Sequence, residues 1–190
     1  MEKYTKVIMS GNGCMAICCV IYLIWWSVVF RPEFRAPGPL AVILFLLTAG
    51  TGITGLILLI SGIRNMPSVQ PNLSNQVIMI AGICLYIILF FVSFIFMHRQ
   101  VTTELLLIIG WGMLVLCEVN VMYGAGNFSL QTVIISCILI GSVALISMIC
   151  YLTYYNLKPM VAYVDGMVPL LLIGAVMLGL SVMIWHGKRG

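Results

Sequence analysis

Charge is what this sequence has least of. Its 190 residues include nine Lys or Arg and five Asp or Glu, 7% in all, where a soluble domain carries about 25%. Hydrophobic residues make up 63%, and the mean hydropathy is +1.18. So short a chain cannot hide that much apolar surface in a water-soluble core. The scarcity of charge excludes a soluble catalytic domain, a nucleotide-binding domain and a nucleic-acid-binding module. The formal net charge of +4 is scattered along the chain, not gathered into the basic patch that nucleic acid requires, and it suits loops lying against anionic headgroups.

Motifs that carry chemistry are also missing. There is no HExxH and no paired intramembrane histidine set for zinc or haem, no GxSxG, no arginine-rich voltage-sensing helix and no TVGYG filter. Neither a metal nor a cofactor is expected. The seven cysteines (14, 18, 19, 84, 117, 137 and 150) all fall in apolar segments. No loop carries a pair and no CxxC occurs, so they read as small hydrophobes and not as a disulfide framework. Cys14 and Cys18 share a helical face, but neither histidine is near them in sequence. Polar residues inside the apolar segments are few, which argues against a wide aqueous channel and suits a small internal cavity.

What the chain does have is six long apolar runs, at about 9–30, 39–63, 76–97, 105–123, 131–156 and 167–186. A helix needs about 20 apolar residues to cross a bilayer, and none of the runs alternates as a barrel strand does. The expectation is an all-α integral membrane protein, one domain over 1–190 with six transmembrane helices in three sequential hairpins and no extramembrane domain. Lys3 and Lys6 precede the first run, and no small-residue cleavage site follows before Arg31. The first run therefore reads as a retained helix.

The connections divide between two membrane faces. The turns at 31–38, 98–104 and 156–166 share one, and both tails with the links at 64–75 and 124–129 share the other. Each turn on the first face is preceded by aromatics and followed by a base: Trp25, Trp26 and Phe30 before Arg31; Phe94 and Phe96 before His98 and Arg99; Tyr154 and Tyr155 before Lys158. Interfacial anchoring accounts for this pattern, as does a triplicated hairpin. The terminal face carries five bases (Lys3, Lys6, Arg64, Lys188, Arg189) and the opposite face four (Arg31, Arg35, Arg99, Lys158). Counted by the positive-inside rule, both termini are cytoplasmic by a margin of one charge. The chain is expected in the cell membrane as a multi-pass protein.

Among candidate functional residues Glu118 stands first. It lies about one and a half turns inside the end of the fourth run, in Leu114-Val-Leu-Cys-Glu118-Val-Asn120. An ionised carboxylate in hydrocarbon costs several kcal/mol, so it must face the protein interior, protonate or pair. Trp111 falls on its helical face, and Asn120 adds a nearby amide. The second candidate is the rim of one membrane face: Arg31, Glu33 and Arg35, then His98, Arg99 and Glu104, then Lys158 and Asp165. Converging hairpin tips would hold anions there through arginine. Ordinary interfacial anchoring explains the same residues with exposed ion pairs worth about 0–1 kcal/mol.

Asp165 and Gly166, just before Pro169, read as the cap of the last helix. In the second run Thr48/Gly52 and Thr51/Gly55 are small pairs four apart, a spacing that lets helices approach closely. Ala175/Gly179 repeats it in the last run. Gly11-Asn12-Gly13 reads as a loose turn.

The functional reading from sequence is a membrane protein that binds or transports a small molecule through a compact site at Glu118, with the Arg31/Arg99/Lys158 rim as its entrance. A non-transporting accessory or stress protein acting through helix packing is the alternative. A further one is an intramembrane enzyme on a lipid headgroup, with His98, Glu104 or Asp165 as acid or base. The partners these readings imply are membrane lipid, a small-molecule ligand, and a partner membrane protein or second copy of the chain; nucleic acid is not among them. The layout is common among small membrane proteins, and no motif ties the chain to one family.

Overall fold

In lipid no water satisfies a backbone N–H or C=O, so an apolar segment must close its own hydrogen bonds as a helix. A computed structural model describes residues 2–31, 38–66, 73–97 and 103–187. Within them the elements are α1 (Glu2–Val29), α2 (Gly38–Arg64), α3 (Leu73–Met97), α4 (Thr103–Gly124), α5 (Leu130–Tyr154), α6 (Pro159–Asp165) and α7 (Val168–Gly187). Six stretches are long and apolar enough to cross a membrane, α6 and α7 together supplying the sixth. The protein is an all-α, multi-pass membrane protein.

Two compact units emerge. One comprises 1–66 with 149–190, the other 67–148, so α5 begins in the second and its last residues belong to the first. In the first unit α1 packs against both α2 and α7. Its seam with α2 is built on small residues. Thr48, Gly55, Leu59 and Gly62 are buried along one face of α2. A Cβ at Gly55 would come within 2.9 Å of Met15 Cγ and 3.1 Å of the Gly11 carbonyl, and one at Gly62 would strike Ile8. Gly52 faces Cys18, whose thiol donates to the Thr48 carbonyl at 3.3 Å. Partners on α1 rise in number as those on α2 fall, so the pair is antiparallel. Close approach of backbones is what drives association where lipid is as apolar as leucine.

Gly11 belongs to this seam, since a Cβ there would sit 2.8 Å from Leu59 Cγ. The expectation of a loose turn at Gly11-Asn12-Gly13 is thereby corrected: all three are helical, and α1 begins at Glu2, well before its apolar run. Tertiary contact outweighs the helix-breaking tendency of two glycines. Of the glycines on α7 the one against α1 is Gly174, 3.3 Å from Cys19 Cβ for an added methyl, while Gly179 faces open space and Ala175 is exposed. The small pair legible in the sequence is therefore not the one at the contact.

The second unit contains the α3/α4 pair. Gly82 of α3 makes room for Met113 of α4, because a Cβ would overlap the thioether. At the other end of the pair Asn120 Nδ2 donates to Ser74 Oγ at 3.0 Å and to Asn75 Oδ1 at 2.6 Å. α4 closes in a Schellman turn: Asn127 N donates to the Met122 carbonyl at 2.9 Å and Gly126 N to that of Tyr123 at 2.9 Å. Gly126 there has φ +74°, a conformation that glycine adopts without cost. Ser129 then caps α5, its Oγ accepting from Thr132 N at 3.2 Å.

The stretch 156–166, read from sequence as a turn, contains a helix of its own. Lys158 is extended, Pro159 sits in the first turn, and α6 runs to Asp165. Pro169 has no N–H to give the Asp165 carbonyl, so the chain breaks at Gly166 and Met167 and restarts as α7. Asp165 consequently ends one helix and does not cap the next. Trp26 anchors the corner: Nε1 donates to the Tyr163 carbonyl at 3.0 Å, the ring lies over Gly166, and it meets Tyr154 edge-on with centroids 5.9 Å apart.

Candidate functional site

α4 is the most enclosed of the spanning helices: 56% of its most apolar stretch is buried, against 6% of that in α3. Apolar faces all round are common to the spanning helices, so it is the packing of neighbours and not its composition that encloses α4. The enclosure is tightest in the second half, where Cys117, Glu118, Val119, Val121 and Met122 are all buried. Glu118 is 0% exposed. It lies six residues from the end of α4, about 9 Å along the axis. Trp111, two turns earlier on the same face, is also buried. An acid and an indole thus share one enclosed side of α4, as their spacing implied.

Asn120 has a different role. Two residues from Glu118 it points about 200° away around the helix, and its amide is engaged with Ser74 and Asn75 in the first turn of α3. It clamps α3 to α4.

Two residues carry a signal that composition hides. Ser136 and Ser147 of α5 are 1% and 0% exposed, on the stripe they form with Ile140 and Val143. Elsewhere Ser27, Thr48, Thr51, Thr54, Thr153 and Ser181 turn back to the carbonyl four residues earlier. Ser136 Oγ and Ser147 Oγ do not, and among the described residues neither finds a partner. A buried hydroxyl without a partner costs about 1–3 kcal/mol. Only their i, i+11 spacing on one face was available to find them. Asn12, also 0% exposed, was obscured by its flanking glycines.

The rim is described only in part. Arg31 is exposed two residues past the end of α1, and Lys158 is exposed before α6. Asp165 is half-buried, with Thr153 Oγ1 donating to its Oδ2 at 3.5 Å. Glu104 lies in the first turn of α4. Glu33, Arg35, His98 and Arg99 lie outside the described residues. Among those described, no group of three or more His, Cys, Asp or Glu gathers as a metal site would.

The chain matches no family model, no curated protein and no solved structure. The fold and the buried groups are therefore the grounds for a functional reading. A carboxylate held away from water can take up a proton, hold a cation, or accept hydrogen bonds from a hydroxyl or amine. The indole two turns away offers a flat apolar surface beside it.

Proposed function

We propose that this protein binds a small molecule at a compact intramembrane site on the Glu118 side of α4, as a carrier or binding subunit would. The observation that carries the reading is the complete burial of Glu118 in the most enclosed helix. An ionisable group at that depth is retained against a cost of several kcal/mol, and such residues mark substrate, ion or proton paths. Ser136 and Ser147 of the same compact unit are further buried hydroxyls, about 16 Å apart along α5, so a compact ligand at Glu118 would satisfy at most one of them. The ligand class is a small molecule presenting a cationic or hydroxyl group to Glu118 and an apolar or aromatic body to Trp111. The Gly52/Gly55 surface that an accessory protein would offer a partner is occupied by α1 of the same chain, which favours the binding reading.

The test is native mass spectrometry of the full chain, purified gently from its own membrane. A small-molecule adduct on the wild type, lost in Glu118→Gln with helical content unchanged, is the expected result. An adduct retained in Glu118→Gln, or a wild-type chain carrying bulk phospholipid alone, overturns the proposal.

A further inference from the structure

The end of α2 carries a feature independent of Glu118. Ile57, Ile60, Ser61 and Arg64 fall on one face of the helix, and with Asn65 they line a shallow open depression. This face is turned away from the glycine seam, and Ile57 and Ile60 are 60% and 49% exposed. The depression therefore opens toward lipid. Its floor is aliphatic, Ile57 and Ile60, for about one turn or roughly 5 Å, and its upper edge is a hydroxyl, a carboxamide and a guanidinium. Among the described residues no carboxylate pairs with Arg64.

The antiparallel register adds charge. Ile8 lies against Gly62, which brings the turn of α1 bearing Lys3 and Lys6 level with Arg64, and both lysines are exposed. Two features oppose an anion here, the negative end of the α2 dipole and the acidic residue Glu2 in the same turn of α1, which leaves that turn with a net charge of one base. Asn65 covers one of the carbonyls at the α2 end: its backbone N–H and its Nδ2 both donate to the Ser61 carbonyl, at 3.1 and 2.9 Å, and Nδ2 also reaches Ser61 Oγ at 3.3 Å.

The geometry points to a binding site for an anionic phospholipid on the membrane face that carries the termini. The phosphate is held by the Arg64 guanidinium beside Ser61 and Asn65, and the upper acyl chain lies along Ile60 and Ile57. Arginine grips phosphate with two parallel hydrogen bonds, and a base at the headgroup level is worth a several-fold preference for anionic lipid. Lys3 and Lys6 add attraction of longer range without needing to touch the headgroup.

The full chain is reconstituted in nanodiscs of phosphatidylcholine doped with phosphatidylglycerol, and the lipids it retains are counted by native mass spectrometry. Wild type is expected to keep phosphatidylglycerol in preference to phosphatidylcholine, and Arg64→Gln to lose about fivefold of that preference. Arg64→Lys, which keeps the charge but not the two-pronged grip, is expected in between. Equal retention by wild type and Arg64→Gln overturns the site, as does a wild type without headgroup preference. Millimolar inorganic phosphate should leave the retained lipid in place, and its displacement would assign the site to a free anion instead. Circular dichroism confirms that the variants are folded. Arg64 is exposed at a helix end, so no loss of structure is expected.

Discussion

Gly55 meets Met15 and the Gly11 carbonyl, and Gly62 meets Ile8, whereas Gly50 on the same helix faces open space. The three respond differently to one added methyl. Gly55→Ala should destabilise the protein by about 1–3 kcal/mol, because the neighbours it meets include backbone that cannot yield. Gly50→Ala should be neutral or stabilising by up to about 1 kcal/mol, since it trades a flexible helical residue for alanine. Unfolding in mixed detergent micelles measures both, and equal effects at the two positions would contradict the seam. The spacing of Thr48, Gly52 and Gly55 was readable from sequence; which glycines are filled was not, because that depends on where α1 lies. Glu118 was equally readable, as a lone acid in an apolar run. Asn12, Ser136 and Ser147 were not, since small polar residues inside spanning helices often satisfy themselves on their own backbone.

Between elements, α3 is held at one end by the clamp of Asn120 on Ser74 and Asn75 and along its length by Met113 over Gly82. Most residues of α3 between 76 and 92 are exposed, and lipid supplies no drive for their docking. Removing the clamp with Asn120→Ala should cost about 0.6 kcal/mol, the measured average for hydrogen bonds between membrane helices, and no more than about 1.7 kcal/mol. Amide exchange should then quicken in the first turns of α3 and leave α1 and α2 unchanged. Uniform quickening, or none, would show that the amide does not hold the pair. The break between α6 and α7 has a local cause, Pro169. Its consequence was not legible: the same proline that marks a helix start also lets seven residues before it form a helix, one that Trp26 secures through the Tyr163 carbonyl. That bond joins residues 137 positions apart, beyond the reach of any window of sequence.

For the whole molecule, six helices long and apolar enough to cross a membrane would, if each crosses once, place both ends of the chain on one face. Tags at the two termini should be equally accessible, or equally protected, in sealed vesicles of one orientation; opposite results would require a crossing to be lost. Hydropathy alone determined the number of spanning-length helices and the all-helical class, because an apolar segment in lipid has one way to satisfy its backbone unless it closes into a barrel. It likewise singled out Glu118, because a charge in hydrocarbon is costly wherever the neighbours are. Only the tertiary structure decided which faces meet: that α1 packs against both α2 and α7, that of the two glycines Gly174 and not Gly179 lies against α1, and that α4 is largely enclosed while the span 74–92 of α3 is mostly exposed. The physical reason is common to all three. Every face of these helices is apolar, so amphipathicity cannot tell a buried face from a lipid-facing one, and the choice falls to the fit of small residues against their neighbours.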